Sequence, residues 1–405
     1  MVRVVLARVR AVRARIRLAL RVLIDLPVKA TYARGPSSDD EESAAPLEPT
    51  ASCPRESVIV LDSCALCGST AHTLVAEYNR FIYFATPPDE EALHADYSLC
   101  HACGGVYAAR RPVGARHRWL VDHFEETVGA PAGETHTTGK FAKFIFSTVE
   151  LSDTRREELR QVAARGVFVS EHDHVPRKEY LPGLLRDRLG SAAHVEILGS
   201  LLDLKGRRVL EVRSKLGSIP ASLQRLYGAD VQAMTIFEAQ QFLIHELYGI
   251  ASSSIDFDEF RPPEGGPWDL IIGNHMLTHS VRPRDFLATL RAHLTPGGHV
   301  YFYNEADDAE ILQDGQSIFK VMNAFHLQTF DVDSLARVLS ANGFKPLFVT
   351  RHRGLVCLAQ RAEMSDSWPR ISAKDLRARQ RAYLNARDAS LLMIPGSQRW
   401  RIGDE

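Results

Sequence analysis

Residues 206–220 read GRRVLEVRSKLGSIP, and residues 268–305 read WDLIIGNHMLTHSVRPRDFLATLRAHLTPGGHVYFYNE. In both stretches, short runs of β-branched and aromatic residues alternate with longer segments whose apolar residues recur at helical spacing. The short runs predict buried strands, at 208–212, 269–272 and 299–303. The longer segments predict helices, at 217–227 and 283–294. This alternation indicates parallel strands joined by right-handed crossovers, which is a Rossmann-like, doubly wound α/β sheet.

The predicted sheet also indicates where a ligand would bind. Doubly wound sheets bind ligands at the carboxyl ends of their strands, near the point where the strand order reverses. Asn274 and His275 follow the second predicted strand, and Tyr303, Asn304 and Glu305 end the third. We therefore expect these five residues to line one cleft.

The composition is that of a globular protein with several domains. A chain of 405 residues is long enough for two or three domains, and 45% hydrophobic residues can fill their cores. A net charge of −1 gives no overall attraction to nucleic acid, so we expect no nucleic-acid partner. The sequence contains no run of about 18 apolar residues that would predict a membrane span. We expect a soluble, cytoplasmic protein.

Shifts in composition divide the chain into six predicted segments. They are a basic amphipathic helix at 1–34, a flexible linker at 35–56, a four-cysteine domain at 57–115, a helical connecting region at 116–200, the Rossmann-like domain at 201–361 and a helical tail at 362–405. The first segment is rich in arginine and apolar residues and has one acid, Asp25. It predicts peripheral contact with an anionic membrane, a transit peptide, or a helix that packs on the protein or a partner.

Two Cys-x-x-Cys pairs precede the predicted sheet: Cys64 with Cys67, and Cys100 with Cys103. Each pair places two thiolates on one tight turn, and a glycine follows the second sulfur. Two such turns form a four-sulfur tetrahedral site, which is the closed geometry of structural zinc; an iron–sulfur centre or unoccupied thiols are the alternatives. Thiols and metal sites also suit a reducing compartment. We expect His101, inside the second pair, to lie beside the site and not to ligate the metal.

Four segments resemble motifs of the class I S-adenosylmethionine-dependent methyltransferases, in this order: VLEVRSKLG (209–217), DLII (269–272), HMLTHSVRPRDFL (275–287) and LTPGGHVYFY (294–303). With the paired cysteines ahead of them, the chain is similar to the branch with an N-terminal zinc-binding domain, which includes sugar C-methyltransferases. The resemblance covers residues 63–360. It implies S-adenosylmethionine and structural zinc as cofactors, and a small-molecule acceptor that is methylated on oxygen, carbon or nitrogen.

The resemblance also implies a set of cofactor contacts: Glu211, Arg213, Lys215, Gly217, Thr235, Glu238, Asp256, Asn274 and His275. Glu211 and Gly217 match the acid and the third glycine of the family's first motif. Arg213 and Lys215 stand at the first two glycine positions, where glycine normally permits close backbone approach to the cofactor. Thr235 stands where the family has an acid for the ribose, and Glu238 is the nearest substitute. Asp256 follows the strand that contacts the adenine.

Two histidines are the candidate catalytic residues. His279 matches the histidine of a family Glu-His pair, with Thr278 in place of the glutamate, and His326 matches an acceptor-side histidine, with Phe325 in place of its acid. Either histidine could take a proton from the acceptor as the methyl group transfers. Arg213 and Lys215 leave two alternatives open: a binding or scaffold protein with a degenerate cofactor site, and a site for a phosphate-bearing ligand.

The remaining expectations concern the surface and the end of the chain. We expect Arg110 and Arg111 to be exposed, either as ordinary surface residues or facing the substrate. Asp331 or Asp333 should cap a helix at 331–342, which a strand pair follows. The tail helix, at 373–393, is expected to present a solvated or partner-facing surface and to carry no chemistry.

Overall fold

The computed structural model describes residues 58–78, 95–115, 117, 152–154, 156–157, 160, 181–255, 260–313, 322, 326–352 and 354–392. The predicted basic helix and linker lie outside the described residues, as do Asp256 and most of the predicted connecting region. The described strands form one large sheet and two small ones.

The strands are numbered in chain order. They are β1 (Val58–Val60), β2 (His72–Tyr78), β3 (Ala95–Cys100), β4 (Val106–Ala108), β5 (Arg110–Pro112), β6 (Arg208–Val212), β7 (Asp230–Thr235), β8 (Ser252–Ser254), β9 (Trp268–Asn274), β10 (Leu294–Glu305), β11 (Gln328–Thr329), β12 (Phe344–Arg351) and β13 (Leu355–Arg361). The predicted bounds of β6 are confirmed, whereas β9 and β10 extend beyond the predicted runs at both ends.

The large sheet confirms the predicted doubly wound architecture. Its order is β12-β13-β10-β9-β6-β7-β8. The five strands from β10 to β8 run parallel, and β13 runs antiparallel to both β10 and β12. The central strands are covered on both faces, which explains why their sequences are continuously apolar and do not alternate.

Helices pack on both faces of this sheet. They are α1 (Leu181–Leu201), α2 (Ser218–Tyr227), α3 (Glu238–Tyr248), α4 (Met276–His279), α5 (Pro283–His293), α6 (Asp308–Gln313), α7 (Val332–Ala341) and α8 (Ala373–Leu392). Side chains of α1 and α2 share one core with Leu270 and Tyr301 of the sheet, and those of α5 and α7 share the other with Ile271 and Phe302. None of the described helices is both long and apolar enough to cross a membrane.

The four-cysteine region is joined to the large sheet through a shared core and a shared strand. One small sheet has the order β11-β4-β3-β2, so its edge strand β11 comes from a segment that follows β10 in the chain; β1 and β5 form the other small sheet. Leu66 and Tyr107 belong to the same buried cluster as Phe286 and Val338. The side-chain amide of Asn342 donates a 2.8 Å hydrogen bond to the carbonyl of Leu66. The two regions therefore pack as one body.

The end of the chain differs from the expectation of a solvated tail. Tyr383 of α8 is fully buried and donates a 2.8 Å hydrogen bond to the carboxylate of Asp308. Arg379 forms ion pairs with Asp308 and with Asp331, which also caps α7 through the backbone N–H of Ser334. Helix α8 thus joins the starts of α6 and α7. The sequence did not show this because the partners lie about 50 to 75 residues away, beyond any local pattern.

Candidate functional site

Three neighbouring strands end side by side at the carboxyl edge of the large sheet. At these ends lie the only non-glycine residues with positive φ in the described part of the chain: Arg213 (61°) after β6, His275 (58°) after β9, and Asn304 (59°) near the end of β10. Asparagine tolerates this conformation, whereas arginine and histidine adopt it at a cost. The side-chain amide of Asn274 donates to the carbonyl of Arg213 at 3.4 Å and accepts from Asn304 at 3.0 Å. The three turns are therefore linked.

The turn after β6 keeps a glycine-like backbone although it lacks two of the expected glycines. Arg213 supplies the first left-handed residue, and Gly217, with φ of 75°, supplies the second just before α2. A Cβ at Gly217 would lie 3.0 Å from Ile244, so close packing of α2 on α3 also requires glycine here. The side chain of Arg213 is partly exposed and that of Lys215 is exposed. Both remain accessible to a ligand.

Glu211 is buried beneath this turn and holds it to the sheet. Its carboxylate accepts a hydrogen bond from the hydroxyl of Tyr303 at 2.8 Å and another from the hydroxyl of Ser214. The backbone N–H of Ser214 donates to the carbonyl of Met234 at 2.8 Å. Through these two hydroxyl donors, Glu211 holds the loop to the sheet.

The structure does not gather every expected cofactor contact at this turn. The hydroxyl of Thr235 is buried and donates to the carbonyl of Phe237 at 3.2 Å. Glu238 lies at the surface at the start of α3, where it pairs with Arg156 at 2.5 Å. Asp256 lies outside the described residues. Of the predicted contacts, those after β6 (Arg213, Lys215 and Gly217) and those at the end of β9 (Asn274 and His275) lie together at this edge, and Thr235 ends the adjacent strand β7.

Three histidines converge beside the turn, although they are separated in the chain by up to 51 positions. The ring centroids of His275 and His279 are 4.6 Å apart, those of His275 and His326 are 4.8 Å apart, and those of His279 and His326 are 5.2 Å apart. Burial lowers the pKa of His275 and that of His279 well below the usual range, and the charge of Arg213 lowers both further. Both rings are therefore neutral at physiological pH.

Glu305 is fully buried and holds the short helix α4 that carries His279. Its carboxylate accepts hydrogen bonds from the backbone N–H groups of Leu277 (3.0 Å) and Thr278 (2.8 Å) and from the hydroxyl of Thr278 (2.7 Å). Burial raises the pKa of Glu305 to about 7, against these donors and the charge of Arg213, which lower it. Thr278, which replaces the acid of the family's Glu-His pair, thus contacts a glutamate supplied by the next strand.

The raised pKa of Glu305 predicts a pH dependence of stability. The folded state holds the proton of Glu305 more tightly than the unfolded state does, so the contribution of Glu305 to stability is fully present below pH 4.5 and is lost as the pH rises through 7. A shift of this size corresponds to about 3 kcal/mol across the interval. Glu305→Gln should remove this slope, and urea unfolding of both proteins at several pH values between 5 and 8 would reveal it. Glu363→Gln, at an exposed site, is the control; parallel curves for wild type and Glu305→Gln would contradict the prediction.

The four cysteines meet as their spacing predicts. Their sulfur atoms all lie within 4.8 Å of one another, with Cys64 and Cys103 at 3.9 Å and Cys67 and Cys100 at 3.6 Å. Four thiolates bound to a tetrahedral zinc at about 2.3 Å would be about 3.8 Å apart, so the spacing fits this ion. Backbone N–H groups donate to three of the sulfurs, at 3.3 to 3.4 Å. His101 is outside the cluster, since its ring contacts the hydroxyl of Thr73 at 2.6 Å.

Arg111, expected at the surface or facing the substrate, is fully buried instead. Its guanidinium donates to five acceptors: the carbonyls of Ala108, Ser280, Val281 and Leu327, and the side-chain oxygen of Gln328. Gln328 in turn donates to the carbonyls of Leu277 and Ser280. Arg111 and Gln328 therefore join β4, β11 and the helix that carries His279. The Arg-Arg-Pro sequence gave no local signal of this burial, because all but one of the acceptors lie in distant segments.

Several solved methyltransferase structures are similar to part of the chain. CalS10, an amino pentose methyltransferase from Micromonospora echinaspora, is 17% identical; the alignment covers 47% of this chain and 100% of that chain, with a TM-score of 0.36. Magnesium protoporphyrin IX methyltransferase from Synechocystis is 16% identical, with 52% and 95% coverage and a TM-score of 0.35. A complex of the Haloferax volcanii Trm112 methyltransferase activator with a methyltransferase gives 11% identity, 45% and 93% coverage and a TM-score of 0.38. These similarities are too distant to indicate an acceptor or a partner.

Sequence comparison gives a more direct result. No curated protein matches the chain significantly. The model of a family described as a methyltransferase domain matches residues 179–348. These residues contain the parallel strands β6 to β10 and the turn after β6. Residues 179–348 thus match a methyltransferase-domain model, and the strand order of the large sheet is that of the class I methyltransferase fold; a four-cysteine cluster precedes these residues in the chain.

Proposed function

We propose that the protein is an S-adenosylmethionine-dependent methyltransferase that acts on a small-molecule acceptor. The observation that carries the proposal is the turn after β6, which keeps two left-handed residues and a linked edge although arginine replaces glycine. A loop without a cofactor would have no need to hold Arg213 in a conformation that arginine disfavours. When bound, S-adenosylmethionine supplies a methyl group already activated for transfer. The chain's own contribution is therefore binding, alignment and proton transfer.

The residues at the edge suit this cofactor in their charge and in their backbone conformation. We assign Arg213 and Lys215 to the carboxylate of the methionine moiety, because cationic side chains bind carboxylates through charge-assisted hydrogen bonds. Gly217 and the start of α2 would allow the cofactor to lie close to the backbone. Asn274 holds the turn through its hydrogen bond to the carbonyl of Arg213. Glu238 remains the candidate for the ribose hydroxyls, which would compete with Arg156 for its carboxylate.

The histidines beside the turn are suited to the acceptor. A neutral imidazole is the form that accepts a proton, and the lowered pKa values keep His275 and His279 in that form at physiological pH. We assign the acceptor's proton to His279 or His326, as expected from the sequence. The basicity that the histidine needs depends on whether the acceptor atom is oxygen, carbon or nitrogen. A histidine with a lowered pKa is a weak base, which favours an acceptor that carries an acidic hydroxyl.

The four-cysteine cluster is proposed to hold structural zinc. The sulfur spacing, the closed set of four thiols and the backbone donors to sulfur support this assignment over an open catalytic site. The basic segment at 1–34 is proposed, on its sequence alone, to contact a membrane surface or a protein.

Calorimetric titration of the zinc-loaded protein with S-adenosylhomocysteine tests the proposed function. We expect one-to-one binding, which Arg213→Ala should weaken by about 10- to 100-fold, as the loss of a charged hydrogen bond implies. Lys345→Ala, an exposed site on β12, is the control and should leave the affinity unchanged.

Two outcomes would contradict these assignments in different ways. The absence of heat at millimolar S-adenosylhomocysteine would contradict the enzyme and favour the scaffold alternative. A gain in affinity in Arg213→Ala would show that the guanidinium occupies the cofactor's place, and the assignment of Arg213 to the carboxylate would then be wrong.

A further inference from the structure

We propose that His275, His279 and His326 form a second metal site, which binds one divalent transition metal ion such as Zn²⁺ or Co²⁺. One ligating nitrogen from each of the three rings lies within 4.8 Å of the others. In the described part of the chain, the only other group of three or more His, Cys, Asp or Glu residues with ligating atoms this close is the four-cysteine cluster. The site does not depend on cofactor binding.

The spacing of the rings is close to that of a three-histidine site. Nitrogens bound to a tetrahedral ion at about 2.0–2.1 Å are about 3.4 Å apart, so each ring would need to move by roughly 1 Å at most. His279 is 4% exposed, whereas the rings of His275 and His326 are partly exposed. The group therefore has an inner face against the protein and an outer face toward the cleft.

One atom of the cluster is left without a protein partner. The Nε2 of His275 is buried and has no hydrogen-bond partner among the described residues. A buried polar atom without a partner is unfavourable, and a metal ion or an ordered water would supply the missing partner. The ring is held in place by a backbone turn with positive φ, which fixes it at the edge of β9.

Hydrogen bonds hold in place the segments that carry His279 and His326, as is expected for the ligands of a metal site. His279 lies on α4, whose start is held by the carboxylate of Glu305 and whose Leu277 carbonyl accepts from Gln328. Arg111 donates to the carbonyls of Ser280 and Val281, which directly follow this helix. His326 directly precedes the residues that β4 holds in the small sheet, since the carbonyl of Leu327 accepts from Ala108. Because hydrogen bonds already hold the segments that carry His279 and His326, metal binding would require little further ordering of these ligands.

The charges around the cluster indicate the fourth ligand. Arg213 lies beside the cluster, since the side-chain amide of Asn274, the neighbour of His275 in the chain, donates to the Arg213 carbonyl at 3.4 Å, and Lys215 follows on the same turn. These two cations oppose the binding of a bare metal ion, and they favour an anionic group in the open position. We therefore expect an anionic oxygen to complete the site. If the proposed methyl transfer also holds, this oxygen would belong to the acceptor, and His279 and His326 would then ligate the ion instead of taking the acceptor's proton.

Cobalt titration of the full chain, with the four-cysteine cluster loaded with zinc and no affinity tag present, tests the site. We expect one equivalent of Co²⁺ to give saturable visible d–d bands without the charge-transfer absorption that thiolate ligands produce. His279→Gln and His326→Gln should each weaken cobalt binding by at least 10-fold. His245→Ala, an exposed histidine on α3, is the control and should bind cobalt like the wild type.

Each alternative outcome overturns the proposal. It fails if the wild type gives no bands at millimolar Co²⁺, if the bands carry thiolate charge transfer, or if the two glutamine variants bind as the control does. Circular dichroism and thermal unfolding identify a variant that has not folded, and the other variant then decides. S-adenosylhomocysteine affinity measured on the same samples separates this proposal from the proposed function, since either can fail while the other holds.

Discussion

Replacing Arg111 by methionine is expected to destabilise the protein by about 3–5 kcal/mol, because each buried acceptor left without a donor costs about 1–3 kcal/mol. Methionine fills similar volume but donates to none of the five acceptors; the carbonyls of Ser280 and Leu327 keep their bonds from Gln328 and Ala108, whereas the carbonyl of Val281 and the side-chain oxygen of Gln328 lose theirs. Burial lowers the pKa of Arg111 to about 10, so the side chain is charged at neutral pH and its removal is the loss of a cation. Urea unfolding followed by circular dichroism would measure the change.

The adjacent residue provides the matched control. Arg110 lies on the same strand but is partly exposed, and Arg110→Met should change the free energy of unfolding by less than about 1 kcal/mol, as surface substitutions do. Arg111→Lys keeps the charge but cannot reach all five acceptors, so we expect an intermediate loss. Equal unfolding midpoints for Arg111→Met and Arg110→Met would show that the buried contacts contribute nothing.

Replacing Cys64 and Cys103 together by serine is expected to abolish zinc binding and to unfold most of the protein at room temperature. Structural zinc contributes about 10–16 kcal/mol to small zinc-dependent folds, which equals or exceeds the total stability of an ordinary domain. The effect should spread because Cys64 and Cys103 belong to the same buried cluster as Phe302 of β10 and Leu335 of α7. Zinc content by elemental analysis and thermal unfolding would measure both effects.

Cys357 is the control for this double substitution. It is a free, fully buried cysteine on β13, far in sequence from the four-cysteine cluster. Cys357→Ala should keep a full equivalent of zinc and lose only the stability expected for a small buried side chain. A Cys64→Ser, Cys103→Ser protein that melts like Cys357→Ala would contradict a structural role for the metal.

The sequence predicted the elements well where the signal was local. The strand at 208–212 and the helix after it follow from a continuous apolar run and from helical spacing. Asp331 caps α7 as expected, because its position relative to the apolar face is a feature of one turn of helix. The cysteine cluster was predicted because two short motifs each carry half of the site.

The sequence predicted less where the signal depended on distant segments. The convergence of His275, His279 and His326 requires the segment that follows β9 to meet the residues that precede β11, and no pattern within either segment specifies this. The burial of Arg111 and of Tyr383 has the same origin, since each finds its partners in elements far along the chain. Charged and aromatic residues in short polar segments resemble surface residues until their partners are known.

The pairing of β4 with β11 has a consequence for synthesis on the ribosome. Tyr107 pairs with Gln328, so β4 leaves the ribosome about 220 residues before its partner strand does. At synthesis rates of about 5–20 residues per second, this edge waits roughly 10–40 s with unpaired backbone groups. Metal loading can proceed during this interval, because all four cysteines have already emerged. The nascent chain should therefore be most prone to edge-to-edge aggregation, and most in need of chaperones, between the completion of β4 and the arrival of β11.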